Sequence, residues 1–415
     1  AAARDLTEAV ARVAPRGCSA RLLMALDSET PEFTSPRIRV EALPMRAGLL
    51  PLLWRVGATA RPLDDEFVHA LTPLVPLRAR RGDDTTQTSV TVPHALAWLA
   101  PELMGTAEAR QYRAYVKRAL RFADAVLTPN HATADVLFEH FGPDLPVQVL
   151  PLAAPAPMGK PADAAAAAAR RAALGLPARY VVTTAAAGGA ALGAGGASAD
   201  GAERSAPGDG AAATPTARET AATPMPSAAA VANDRLDWLL DTLADSPELP
   251  DLVIVSDAPY AATLPATLPE TLRHRVHVVQ PETLADWGAV LSGALLLALP
   301  QRQLGTGYEV LGALDAGVPV LHGGSAVAAE LALDAGVAAD DAAGFATALA
   351  RLTQTGASTT QADAAGAAGA AGAAEHDALS EAVTTPDLER LRVLAEDRSR
   401  AFSWPTTAWQ LWELH

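Results

Sequence analysis

The stretch LADWGAVLSGALLLALPQRQLGTGYEVLGALDAGVPVLHG, residues 284–323, decides the fold. It reads as a helix (284–293), a strand (294–300), a glycine loop, a second helix (309–317) and a second strand (318–323). Both strands are short, unbroken apolar runs, as expected where a parallel sheet is covered on two faces. Gly305 and Gly307 permit a tight loop and close approach of backbone to a ligand. The helix near Glu309 would aim its unpaired N–H groups at that loop, so a diphosphate could sit there without any side chain; a plain strand-to-helix turn would use the same glycines.

The same alternation extends outward. Upstream lie YVVTT (180–184, strand), RLDWLLDTLA (235–244, helix), DLVIVSD (251–257, strand) and RVHVVQ (275–280, strand). The first third offers strands at 20–26, 37–45, 66–75 and 88–95, a helix at 108–123 and a buried strand at 125–129. Asn130 then reads as the cap of a helix HATADVLFEHF, stopped by Gly142-Pro143 and followed by the strand 147–153. A proline- and alanine-rich linker begins at 154. The pattern predicts an α/β protein of two facing Rossmann-like domains, with residues 1–155 in one doubly wound unit and 156–400 in the other, and a ligand cleft outside the carboxyl ends of the strands. Residues 185–233 and 354–378, rich in Ala, Gly, Ser and Thr, interrupt the second unit as loops.

Bulk properties agree with two cores: 415 residues, of which 50% are hydrophobic and 19% charged. A net charge of −15 argues against a general nucleic-acid binder. The lone Cys18 can make neither an internal disulfide nor a thiolate metal site, which suits a cytoplasmic protein. No His/Asp/Glu cluster has metal-ligand spacing, and no apolar run is long enough to span a bilayer, so any membrane contact would be peripheral. Arg110, Arg113, Lys117 and Arg121, with Arg118 beside them, recur at helical spacing as a basic face, either merely solvated or suited to anionic lipid. In the tail, Pro405 marks a fresh helix start after Trp404, and Trp409 and Trp412 share a helical face expected to pack on a core.

Several strings resemble glycosyltransferase family 4, the retaining GT-B enzymes, in the order that family would have them. VTVPHALAWLAPEL (90–103) is similar to its acceptor-domain histidine loop, and FADAVLTPNHATADVLFEHFG (122–142) with VQVLPLAA (147–154) to the close of its first domain. Residues 284–323 resemble its donor-site region; SAVAAEL (325–331) and DAGVAAD (334–340) resemble the strand and acidic turn that follow. FSWPTTAWQLW (402–412) resembles the last helix, here 401–415, which crosses back onto the first domain. The resemblance implies a nucleotide-sugar donor as substrate, no separate cofactor, and a glycan, lipid or protein acceptor. It also places Ala1 inside the first helix, so the family's first strand and glycine loop are either truncated here or dispensed with.

Against that pattern the chemical side chains are largely replaced. The two family glutamates fall on Leu304 and Gly312, and the lysine of the diphosphate pair on Asp234. A lost carboxylate hydrogen bond is worth roughly 1.5–3 kcal/mol, so restoring Leu304→Glu, Gly312→Glu and Asp234→Lys is expected to tighten donor binding. The remaining donor-binding candidates are Gly305, Thr306, Gly307 and Tyr308, through their backbone, and Arg235, which either turns into the site or stays solvated. The catalytic candidates are His94, one residue beyond the family position at Pro93, and Glu309, out of register with the lost carboxylates. Each has a plain alternative, a loop histidine and a first-turn acidic residue. The chain therefore reads as a hexosyltransferase or as an inactive GT-B partner of an active glycosyltransferase; a sugar-nucleotide epimerase would need more acidic and histidine side chains in the cleft. Composition alone makes 185–233 and 354–378 the expected first cuts in limited proteolysis, and protection of both would contradict that expectation.

Overall fold

The structure, a computed structural model, describes residues 1–56, 67–77, 86–185, 233–256, 264, 266, 268–354 and 386–414. Apart from Ala185, Asn233 and Gln354, the two inserts expected as loops lie outside the described residues.

The first half runs α1 (Ala2–Val13), β1 (Ala20–Met24), β2 (Ile38–Ala42), α2 (Leu50–Val56), β3 (Phe67–Ala70), β4 (Gln87–Thr91), α3 (Leu96–Leu99), α4 (Pro101–Met104), α5 (Thr106–Phe122), β5 (Ala125–Thr128), α6 (His131–Phe141) and β6 (Val147–Val149). Strands β3-β4-β5-β6 form one parallel sheet in chain order. Sequence reading had put all the early strands in one doubly wound unit. Instead β1 and β2 form a separate parallel pair, most of whose residues are exposed or half-buried, while β4 and β5 bury nearly every position.

The second half runs α7 (Ala164–Ala173), β7 (Tyr180–Ala185), α8 (Leu236–Asp245), β8 (Asp251–Ser256), β9 (Val276–Val279), α9 (Leu284–Gly293), β10 (Leu297–Leu299), α10 (Tyr308–Asp315), β11 (Val320–His322), α11 (Ala326–Ala332), β12 (Gly336–Ala338), α12 (Ala342–Thr353), α13 (Pro386–Ser399) and α14 (Trp404–Glu413). Its parallel sheet has the order β12-β11-β10-β7-β8-β9. The chain builds outward from β7 through β9, then returns to the other side of β7 with β10, which makes β7/β10 the topological switch point. Side-chain caps set the helix boundaries: Asn130 accepts from Thr133 N, Asp163 from Ala165 and Ala166 N, and Thr283 with Asp286 closes a capping box on α9. Ser325 caps α11, so SAVAAEL is a helix and the following strand is the short β12. A serine followed by good helix formers accounts for the difference.

One apolar cluster joins the halves. It takes in Leu6 and Ala9 of α1, Leu127, Leu150 and Leu152, the inner strands β7 and β10, Leu311 and Leu314 of α10, and Trp404 and Leu411 of α14. Helix α14 crosses back and lies along α1. Three hydrogen bonds fix it: Trp404 Nε1 donates to Ala154 O (2.9 Å), the Thr407 hydroxyl to Pro151 O (2.6 Å), and Trp412 Nε1 to Val10 O (3.2 Å). Trp412 also meets Phe67 edge-on. Trp409, expected to pack beside it, is 58% exposed. The buried stripe of α14 is Trp404, Thr407, Ala408 and Leu411; Trp412 reaches its flank, whereas Trp409 lies well outside it.

A second bridge joins α11 to α6. Glu330 accepts from the backbone N–H of His131 (2.7 Å) and of Ala132 (2.8 Å), and its carboxylate lies 2.8 Å from His131 Nδ1. A carboxylate from the second half thus caps a helix of the first. Arg398 of α13 in turn donates to the carbonyls of Glu330 and Leu331. Glu330→Gln keeps the shape but removes the charge at the N-terminus, and should lower unfolding free energy by about 1–2 kcal/mol in denaturant titration. The same change at exposed Glu270 should leave it within about 0.5 kcal/mol of the parent.

Candidate functional site

The carboxyl ends of β7, β8, β10 and β11 open on the switch point, and each carries a buried polar group. Thr183 lies near the end of β7, Ser256 ends β8, Gln301 follows β10 and His322 ends β11. Gln301 spans the switch point itself, its amide Nε2 donating to the Thr184 carbonyl across from β10 to β7. Among the described residues, the Thr183 and Ser256 hydroxyl oxygens, Gln301 Oε1, Thr306 Oγ1 and His322 Nδ1 are buried with no hydrogen-bond partner. An unmet buried polar atom costs about 1–3 kcal/mol. Burial first, partly opposed by Asp340, lowers the His322 pKa, which keeps the imidazole neutral and able to accept or donate a hydrogen bond.

The glycine loop enters this crevice. Asn233 zips it to the start of α8: its side chain accepts from Gln303 N (3.0 Å) and donates to Gln303 O (3.3 Å), while its carbonyl takes Arg302 N (3.2 Å). Gly307 adopts φ +83° as the cap of α10, a left-handed backbone that favours glycine, and offers no side chain to the helix N–H groups. Within this buried first turn the Glu309 carboxyl accepts from the backbone N–H of its own residue.

Arg235 adopts φ +45° before α8 and reaches the strand ends, donating through Nη1 to Gly323 O (2.9 Å) and Pro300 O (3.4 Å). It lies over the Trp238 ring, 4.5 Å from its centroid. Gly323 makes this possible, because a Cβ there would come within 2.5 Å of Pro300 O. The Arg235 pKa is depressed, first by burial and then by the neighbouring charge of Arg302. Two guanidinium groups at one rim, with Arg302 exposed, form an anion-attracting edge.

The structure places the other expected residues differently. Tyr308 turns into the cluster shared by the two halves, near Asp5, so only its backbone is at hand for a ligand. Glu309 is buried in the first turn of α10, and desolvation raises its pKa, favouring a protonated carboxyl. His94 stacks on Tyr112 of α5, with ring centroids 4.8 Å apart, and the Tyr112 hydroxyl donates to His94 O. Leu304 belongs to the shared apolar cluster. A Cβ at Gly312 would meet Leu291 Cδ1 at 3.0 Å and Met158 O at 3.2 Å, so the position faces the linker backbone. The expected gain from Leu304→Glu and Gly312→Glu therefore does not hold: both would push a carboxylate into packed apolar surroundings. The sequence reading passed over Thr183, Ser256, Gln301 and His322, although the apolar runs of their strands close on Thr, Ser, Gln and His.

Two facing parallel sheets, a back-crossing final helix and a crevice at the switch point of the second sheet define a GT-B protein. Residues 1–153 match the family model of the glycosyl transferase 4-like domain and residues 227–355 that of glycosyl transferases group 1, and the chain belongs to the family 4 type of GT-B glycosyltransferases. Solved structures agree in fold. Sucrose-phosphate synthase from Thermosynechococcus elongatus is 16% identical with a TM-score of 0.61, the match covering 99% of this chain and 91% of that one. WaaG, a glycosyltransferase involved in lipopolysaccharide biosynthesis, is 14% identical with a TM-score of 0.56, covering 99% and 95%. HepE from Anabaena in complex with UDP is 16% identical with a TM-score of 0.54, covering 91% and 86%. No curated protein matches the chain by sequence. Among the described residues there is no group of His, Cys, Asp and Glu that could hold a metal ion, and no helix long and apolar enough to cross a membrane.

Burial lowers the His94 pKa from 6.5 to about 4, and its Nδ1 is buried without a partner. The unfolded chain therefore binds a proton at this residue between those two values that the folded chain does not. The contribution of neutral His94 is fully present above about pH 6.5 and is lost as pH falls toward 4. Between pH 7 and pH 4 the parent should lose up to about 3 kcal/mol more unfolding free energy than His94→Leu, measured by denaturant titration. Parallel pH curves would show that His94 protonates freely in the folded protein.

Proposed function

We propose that this chain binds a nucleotide sugar at the β7/β10 switch point and transfers its hexose, with retention, to a hydroxyl of a glycan, lipid or protein acceptor. The observation that carries this reading is that the ends of four adjacent strands, at Thr183, Ser256, Gln301 and His322, and the glycine loop, at Thr306, each hold a buried polar atom that lacks a protein partner among the described residues. Such atoms gathered at one end of the sheet are tolerable where a polyhydroxylated, phosphorylated ligand supplies missing bonds to those it reaches. The diphosphate rests on backbone N–H groups of Gly305, Thr306, Gly307 and Tyr308, with Arg235 and Arg302 at the rim. In the transfer, the bond from the anomeric carbon to the diphosphate breaks, the bond to the acceptor oxygen forms, and the acceptor proton leaves with the departing phosphate. Backbone dipoles and cations stabilise the charge that develops on that phosphate. His94 and Glu309 enter the proposal as neutral hydrogen-bonding groups, since burial disfavours the charged form of each. The donor is the substrate, and no separate cofactor is required.

A second reading, an inactive partner of an active glycosyltransferase, is favoured by one observation. Leu304 and Gly312 are absorbed into packing, so the family's carboxylate positions are structurally spent. Calorimetric titration with nucleotide sugars separates the two readings. Because HepE is described in complex with UDP and with UDP-glucose, UDP-glucose is the first probe. The transferase reading expects weak binding that falls with salt and drops roughly tenfold in Arg302→Gln, with the thermal midpoint unchanged. Silence across the panel supports the partner reading. Tight, salt-insensitive binding untouched by Arg302→Gln would place the donor on residues other than these.

A further inference from the structure

Helix α5 packs on the sheet through Ala109, Tyr115, Val116 and Ala119. On its opposite face Arg110, Lys117 and Arg121 are exposed, with half-buried Arg113 at the edge of the row. Arg118 turns inward to the Leu77 carbonyl, and both Arg118 and Arg121 sit over the Phe122 ring. None of these five cations is ion-paired with a described carboxylate. Like charges at i,i+4, as in Arg113, Lys117 and Arg121, weaken a helix by about 0.2–0.5 kcal/mol per pair. This helix carries that repulsion in a chain whose net charge is −15.

We infer that the outer face of α5 is a docking surface for an anionic lipid bilayer. The charge and the shape both select this occupant. Arg110 to Arg121 spans about 16 Å of straight helix, a row that matches an extended charged plane better than a point ligand. The row offers no free aromatic face for a base to stack on, because the Phe122 ring lies under two guanidinium groups. Two elements that touch α5 each carry or adjoin an exposed leucine. Leu99 (45% exposed) is on α3, which packs on α5, and Leu49 (53% exposed) lies just before α2, whose Pro51 carbonyl accepts from Tyr115 of α5. The remaining acidic surface is repelled by anionic lipid, so adsorption has one orientation, with α5 against the headgroups within a Debye length of about 8 Å.

The test is flotation of the full chain with phosphatidylcholine vesicles, with and without phosphatidylglycerol. The expected result is binding only to the anionic vesicles, abolished at roughly 1 M salt. Arg110→Gln, Lys117→Gln and Arg121→Gln together should cut partitioning by about two orders of magnitude. Arg39→Gln, Arg273→Gln and Arg390→Gln remove the same charge from exposed positions elsewhere and should change it little. Thermal melts of both triple variants, expected to match the parent, separate a surface effect from misfolding. Failure to float, equal flotation on both vesicle types, or equal losses in the two triple variants would overturn the inference. So would capture by polyglutamate or RNA without flotation, which would assign the face to a different polyanion.

Discussion

The apolar cluster shared by the two halves is the constraint on which the rest of the molecule depends. It forces the linker after β6 to run pressed against the second half. Gly288 of α9 has no room for a Cβ, which would come within 2.3 Å of the Pro157 carbonyl, and Gly312 of α10 meets the Met158 carbonyl in the same way. Helices α9 and α10 are thereby held against one strip of backbone. The start of α10, the glycine loop before it and the ends of β7 and β10 follow from that placement. Packing thus fixes the position of the glycine loop without help from any acid or base.

The electrostatics of the crevice are those of oriented dipoles and neutral polar groups, with cations only at the rim. His322 and Glu309 are each pushed by burial toward their uncharged forms, as is His94 in the first half. Groups held neutral by burial offer hydrogen bonds and are poorly equipped to move protons near neutral pH. Transfer chemistry that relies on positioning and on stabilising a leaving phosphate suits it better than general acid–base chemistry.

Much of the fold was legible in the sequence because buried parallel strands and amphipathic helices leave strong periodic signals. Residues 284–323 gave α9, β10, α10 and β11 in order, and Asn130 marked the start of α6. The separate β1–β2 pair was not legible, since strand propensity does not reveal which strands are neighbours. Trp409 misled because its spacing from Trp412 is helical while the angle of the buried stripe is set by tertiary contacts. At the site, the glycines and Arg235 could be found from local pattern. The polar groups at the strand ends were harder, because a Thr, Ser, Gln or His closing an apolar run looks like an ordinary strand terminus until the sheet order sets their strands side by side. Leu304 and Gly312 could be recognised as replacements; only packing shows that they have been built into the core.

The contact between α1 and α14 has a consequence for synthesis. Trp412 bonds to Val10 across a sequence separation of 402 residues. While the ribosome is still making the second half, Leu6 and Ala9 have no Trp404 or Leu411 to cover them. The first half is therefore born with an uncovered apolar flank and closes only once α14, whose Trp412 lies 402 residues beyond Val10, has emerged. Contacts so distant in sequence slow folding and lengthen the interval in which nascent chains can stick to one another. A cell making this protein has reason to meet it with a chaperone before α14 arrives.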